Sequence, residues 1–235
     1  MPNPHDSNLQ STPQPRGELI FPGLVPGGEA ASGGWSTWVT GAAPYQSLHW
    51  RGGEGFFRWF VFDDADWEFR SFDFDSDLEF ALEKVGSAVD ANNPDLSAFR
   101  DRGGKLLVYH GWSDPDISPL ASIDYFSRVV DLAASRADVS SREQADSVTK
   151  DYFRLFMVPG MGHCAGGPGP DRFDALTALE NWVENDVPPD SIIARKIEGD
   201  QVIRSRPLCV YPAVARYDGS GSTDEAANFY CAVPE

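Results

Sequence analysis

Two short strings place ionisable side chains where chemistry could follow. "HGWSDPD" (110–116) carries His110, Asp114 and Asp116, and "PGMGHC" (159–164) carries His163 and Cys164. An imidazole paired with a carboxylate is a means of turning a serine hydroxyl into a nucleophile. The ring takes the hydroxyl proton, and the carboxylate fixes the ring's tautomer and stabilises its positive charge. Asp114 is the better candidate for the acid, because it lies nearer the preceding apolar run and Pro115 stiffens the turn after it. Asp116 is placed to help begin the following element. The third member of such a set is a serine on a tight glycine-flanked turn upstream, and no G-x-S-x-G string is present. The nearest, "GWSTW" around Ser36, lacks the second glycine and follows no strand. Ser113 and Cys164 sit beside the acid and the base in sequence. Neighbouring side chains usually point apart, so each is a poor nucleophile. "DFDSD" (73–77) has the alternating aspartates of a calcium loop, but Leu78 stands at its sixth position and Lys84 at its twelfth. It is read as a solvated turn opening a helix, and no metal ligands are assigned.

The two strings must be held by the elements before them. "KLLVYH" (105–110) and "YFRLFMV" (152–158) are short apolar runs that read as buried strands, one leading into each string. Between them "SPLASIDYFSRVVDLAASR" (118–136) reads as a helix with Ser118 as N-cap, Pro119 first, and Ile123, Phe126 and Val130 inward. "DRFDALTALENWVE" (171–184) predicts a second helix, with Phe173, Leu176, Leu179 and either Trp182 or Val183 inward, and "SIIARKI" (191–197) a further strand. Upstream, "DLEFALEKVGSAVD" (77–90) predicts a helix with Leu78, Leu82, Val85 and Val89 on one face. Strand and helix alternating at this spacing indicate an α/β fold, a parallel sheet with covering helices. Functional groups in such sheets gather at the carboxyl ends of strands, where both strings fall. Residues 1–60 show no lasting period. Residues 1–18 are expected to be disordered or irregular, 19–60 to form part of an aromatic-rich lid, and 61–235 to form the α/β part.

Composition narrows the partners. Thirty-six acidic against nineteen basic residues give a formal charge of −17. That disfavours nucleic acid and anionic membranes. No apolar run is long enough to span a bilayer, and the polar, proline-rich start is not a signal peptide. Of three cysteines, Cys209 and Cys231 flank a segment rich in Gly, Asp and Ser. A disulfide closing that loop would contribute about 3 kcal/mol and would suit an oxidising compartment. Cys164 is then a free thiol or bonds outside this chain; the alternative is three reduced thiols.

Longer strings carry a resemblance: "IFPGLVPGGEA", "NPDLSAFRDRGGKLLVYHGWSDPDISP", "PGMGHCAGGPGPDRFDALTALENWVE", "RPLCVYP" and "ANFYC". Together they resemble the tannase and feruloyl esterase family of α/β-hydrolases over nearly the whole chain beyond the first fifteen or so residues. The resemblance implies carboxylic ester hydrolysis on aromatic esters such as galloyl or feruloyl esters, in a secreted or periplasmic setting. It implies His163 as base, Asp114 as acid, His110 as a pocket histidine and Ile117 as a substrate-facing residue. It further implies that Cys164 bonds to a cysteine beside the nucleophilic serine, outside this chain, and that Cys209 and Cys231 form a second disulfide. The family's nucleophile, oxyanion hole and lid calcium site have no counterpart here, so no cofactor is assigned to this chain. The expectation is a carboxyl-terminal part of an esterase, inactive without a nucleophile-bearing N-terminal half. The alternatives are a non-catalytic domain binding phenolic ligands and an inactive truncated product.

Overall fold

The computed structural model of the chain describes residues 12–13, 19–136 and 139–234. The expected irregular segment 1–18 therefore lies outside the described residues, save for β1 (Thr12–Pro13), which pairs antiparallel with β2 (Leu19–Phe21). Short helices follow: α1 (Trp35–Trp38), α2 (Leu48–Gly55), α3 (Ser76–Ala81), α4 (Ser87–Val89) and α5 (Ser97–Arg100). The α/β part then runs β3 (Leu106–Gly111), α6 (Pro119–Ala134), α7 (Arg142–Lys150), β4 (Phe153–Val158) and α8 (Ala175–Asn185). It closes with β5 (Ser191–Glu198), β6 (Gln201–Cys209), β7 (Val214–Tyr217) and β8 (Phe229–Ala232).

β3 and β4 pair in parallel, in a register running from Leu106 opposite Phe153 to Gly111 opposite Val158. Every residue of β4 is buried, which suits a strand covered on both faces. Successive side chains alternate between the faces. Phe153, Leu155 and Met157 pack with Ile123, Phe126, Val129, Val130 and Ala133 of α6, and with Ala145 of α7. Phe156 and Val158 pack on the other side with Met161, Ile192, Ala194 and Leu208. Arg154 is the one charge in this strand. Its guanidinium bonds to the carbonyls of Lys150 and Pro189 and to Asp190, and lies 5.3 Å from the centre of the buried Trp182 ring. Beyond β6 the chain bridges back to β4 at Val210 opposite Phe156, and Cys209 is joined to Cys231 by a disulfide.

The inward stripes differ from the expected ones in two helices. In 76–89 the buried residues are Ala81, Val85 and Gly86, whereas Leu82 is 53 % and Val89 46 % exposed. The helix widens to π geometry over Leu82–Gly86. That extra residue per turn rotates everything after it and displaces the simple 3.6-residue stripe. In α8 only Trp182 is fully buried; Leu176 and Val183 face outward. Residues 48–62 are helical, not irregular. Ser47 caps α2 by accepting the Trp50 N–H, and the helix continues in π form over Phe56–Phe62. Its aromatic side chains stack on Trp67 and Phe80 and form a satellite core around Val61, Ala81 and Val85.

Candidate active site

The carboxyl ends of β3 and β4 enter loops that are fastened to each other. Trp112 N–H donates to the Val158 carbonyl at 2.9 Å, and Ser113 N–H to the Met161 carbonyl at 3.0 Å. Gly111 makes this approach possible, since a Cβ there would fall 2.2 Å from the Met161 carbonyl oxygen. The segment after β2 lies over the loop that carries Asp114, with the Ser113 hydroxyl donating to the Gly27 carbonyl and the Ser118 hydroxyl to the Gly23 carbonyl. These bonds occupy Ser113. Ser118 stands at the N-cap of α6 but makes no side-chain cap bond.

This fastening brings Asp114 and His163 together, with Asp114 Oδ2 3.1 Å from His163 Nδ1. Asp114 is 4 % exposed, and each of its oxygens meets two donors. Oδ1 accepts the N–H groups of Asp116 and Ile117 at 2.8 and 3.0 Å. Oδ2 faces His163 and also His110 Nε2, at 3.3 Å. Burial pushes this carboxyl upward. The His110 ring, the Asp116 N–H, the His163 ring and the Ile117 N–H together outweigh burial and bring it down from 3.8 to about 2. An ionised carboxylate only accepts, so the neutral His163 ring carries its proton on Nδ1 and leaves the Nε2 lone pair open.

His110 is engaged at both nitrogens. Nε2 faces the Ile117 carbonyl at 3.1 Å as well as Asp114, so it is the donor. Nδ1 then accepts the Ser122 hydroxyl at 2.7 Å. His110 thus helps hold the Asp114 carboxylate. Ile117 is 43 % exposed, and its backbone serves both Asp114 and His110. Asp116 does not begin α6. Its carboxylate Oδ1 accepts His49 Nε2 at 3.0 Å, and its Oδ2 lies 3.6 Å from His163 Nε2. Trp38 of α1 meets the His163 ring edge-on, with centres 5.0 Å apart. A cleft of about 230 Å³ opens there, with Gly28, Gly34, Trp38, Ser113, Pro115 and His163 among its walls. Among the described residues no hydroxyl is hydrogen-bonded to His163 Nε2, and Ser36 is exposed on α1. The aspartates at 73–77 serve the start of α3, where Asp73 accepts the N–H groups of Asp75 and Ser76.

The loop that carries His163 has a clamp of its own. Cys164 follows His163 in the left-handed region (φ 62°) and is an exposed free thiol. Just beyond it, Asp171 Oδ2 accepts the Gly166 N–H at 2.8 Å, and Asp171 Oδ1 pairs with Lys196 of β5 at 3.2 Å. The same ammonium donates to the Gly167 carbonyl. Burial raises the Asp171 carboxyl, but Gly166 and Lys196 hold it below its ordinary value. Neither Asp171 and Lys196 nor His49 was legible as a site residue. His49 and Lys196 reach their partners across a long stretch of chain, and no spacing signals that. The only available hint was an aspartate closing the glycine-rich run after His163.

A histidine and a buried carboxylate now stand on adjacent strand ends of a parallel pair, the position where α/β folds gather functional groups. The sequence matches the family described as "Tannase and feruloyl esterase" over residues 11–232, and the chain belongs to that family. It is 38% identical to an uncharacterized esterase of Xanthomonas campestris pv. campestris, over 92% of this chain and 42% of that one. It is 30% identical to feruloyl esterase B of Aspergillus niger, over 92% of this chain and 41% of that one. The crystal structure of feruloyl esterase B from Aspergillus oryzae superimposes with a TM-score of 0.80 at 28% identity, covering 95% of this chain and 44% of that one. The chain thus spans about two fifths of the length of these relatives.

Proposed function

We propose that this chain carries the acid–base half of a carboxylic ester hydrolase acting on aromatic esters by acyl transfer, with the nucleophilic serine supplied by a separate segment. The observation that carries the reading is the His163 Nδ1–Asp114 Oδ2 pair at 3.1 Å, which leaves Nε2 as the proton acceptor. In the first half-reaction the serine oxygen bonds to the ester carbonyl carbon and its proton passes to Nε2. The bond from that carbon to the alcohol oxygen then breaks, and the Nε2 proton leaves with the alcohol. Water repeats the sequence on the acyl-serine, releasing the acid and returning a proton to serine. Asp114 stays ionised throughout and orients the ring. The aromatic preference is supported by Trp38, whose ring stands beside the base. A secreted or periplasmic setting is supported by the Cys209–Cys231 disulfide, which suits an oxidising compartment. Cys164, free and exposed beside His163, is the group proposed to bond to the nucleophile-bearing segment.

The test is hydrolysis of methyl gallate and methyl ferulate by this chain alone and by the chain co-expressed with a segment carrying an adjacent Cys-Ser pair. The chain alone is expected to be nearly inert and the combination active, with His163→Ala costing about four orders of magnitude or more in kcat. Turnover by the combination that survives His163→Ala would refute the assignment.

A further inference from the structure

We propose that Lys196 and Asp171 are a positioning pair for His163. Acting through the loop that follows the histidine, they hold its imidazole so that the proton stays on Nδ1, toward Asp114, and Nε2 stays open. This rests on the reading of His163 as the base of an ester hydrolase, and it adds two residues that lie outside the acid–base pair itself.

The loop needs holding at one place in particular. Directly after His163 the backbone makes a three-residue turn, with the Ala165 N–H donating to the His163 carbonyl at 2.8 Å and Cys164 at φ 62°. Such a turn with a positive φ at its centre is the rare, strained form. Strained backbone persists only where its surroundings over-determine it. The His163 ring cannot supply that alone. It is half-buried, and among the described residues its side-chain hydrogen bond is to Asp114. The limb that enters the loop is fastened by the Ser113 N–H on the Met161 carbonyl. The limb that leaves it is fastened by the ion pair. Asp171 Oδ2 accepts the Gly166 N–H at 2.8 Å, while Lys196 Nζ donates to the Gly167 carbonyl at 2.6 Å and to Asp171 Oδ1 at 3.2 Å. One backbone donor and one backbone acceptor of the same limb are thus gripped together. The Gly166 carbonyl in turn accepts the Gly162 N–H at 3.1 Å, which closes the loop around His163.

The pair can transmit a position because it is fixed from behind. The Asp171 and Arg172 N–H groups both donate to the Arg195 carbonyl, and the Arg195 N–H donates to the Arg172 carbonyl at 2.8 Å. β5 is held against β4 by Ile192 and Ala194, which pack with Phe156, Val158 and Met161. The strand that sets the start of the loop therefore also sets its end, by way of β5. The Asp171 side chain is 5 % exposed, so water screens the pair little. Arg172, the other cation at Asp171, is exposed and stands 3.6 Å from Oδ2, beyond a hydrogen bond. If the leaving limb slackens, the ring moves off Asp114 and its proton can settle on Nε2, where no serine can be deprotonated. A hydrogen bond to an ionised partner favours one tautomer by about tenfold or more, and that preference is what the pair protects.

The test reads the tautomer directly, by nitrogen-15 NMR of the histidine rings of this chain at about pH 8, where an ordinary imidazole is neutral. The chain has four histidines, and His163→Gln assigns the one in question. In the parent the Nδ1–H form of His163 should outnumber the Nε2–H form by about tenfold or more. Asp171→Asn, and Lys196→Met combined with Asp171→Asn so that no buried charge is left alone, should each bring the ratio below about threefold. Lys196→Arg, which keeps the cation, should retain most of the parent's ratio. Val129→Ala, a cavity on α6 that lowers the thermal midpoint without touching the loop, should leave the ratio of the folded form unchanged. A parental ratio in both Asp171 variants, or an equal loss in Val129→Ala, would make the pair a brace for stability alone and overturn this proposal, with the ester-hydrolase reading untouched. A parent that already holds the proton on Nε2 would overturn that reading, and this proposal with it.

Discussion

Asp114→Asn tests the network around the acid without any substrate. The carboxyl is lowered from 3.8 to about 2 in the folded chain. At about 1.4 kcal/mol per unit, this makes the ionised group worth about 2 kcal/mol of stability. The folded-state value is the depressed one, so the contribution is fully present above about pH 5 and is lost as pH falls from about 4 through about 2. Asparagine keeps the shape, and its amide oxygen can still accept from the Asp116 and Ile117 N–H groups. Its NH2, however, would then face the His163 and His110 nitrogens, which need an acceptor. The variant should be less stable than the parent at pH 6 by about 2 kcal/mol or more. The gap should close by about 2 kcal/mol on going to pH 2, because only the parent loses the Asp114 term. Urea unfolding of both proteins at half-unit steps between pH 6 and pH 2 measures this. Other carboxylates, Asp171 among them, titrate in both and cancel in the difference. A separation between the two curves that stays constant down to pH 2 would refute the four-donor account of Asp114.

Gly111→Ala forces a methyl group onto the Met161 carbonyl and should cost about 2 kcal/mol or more, read as a lower thermal midpoint. Asp171→Asn should speed hydrogen exchange at the Gly166 amide and lower stability by about 1–3 kcal/mol; unchanged exchange there would mean that the clamp does not hold the loop. Iodoacetamide added to the unreduced native chain should label Cys164 alone, and labelling of Cys209 or Cys231 under those conditions would contradict the disulfide. Ser36→Ala should leave any residual esterase activity of the chain unchanged.

The α/β part was legible because its signals are local. Six consecutive buried residues of β4 announce a strand covered on both sides, and Pro119 after Ser118 marks the start of α6 to the residue. The placement of His163 and Asp114 at successive strand ends followed from that alternation alone. What sequence could not supply was anything decided by a departure from regular geometry or by distant pairing. Ala81 is buried where Leu82 was expected, and Val89, beyond the π turn at Leu82–Gly86, faces outward. Helix α7 was overlooked because it is polar, with only Ala145 and Thr149 buried. The partner of Asp116 was invisible for another reason. His49 lies in an aromatic-rich stretch whose helical register is set by the Ser47 cap and by stacking, not by an apolar period.

The parallel register of β3 and β4 has a consequence for folding. Parallel strands need a crossover, and here the crossover is α6 and α7 themselves. Asp114 and His163 therefore cannot meet through a local hairpin. Their pairing requires both helices to have docked on the Phe153, Leu155 and Met157 face, after the entropy of closing that long loop has been overcome. The imidazole–carboxylate pair thus shares the cooperativity of the whole unit. A cavity opened far from it, at Val129 or Val130 on α6, would be felt at the site as a smaller population of correctly paired molecules, with each molecule that does pair keeping the same acid–base geometry.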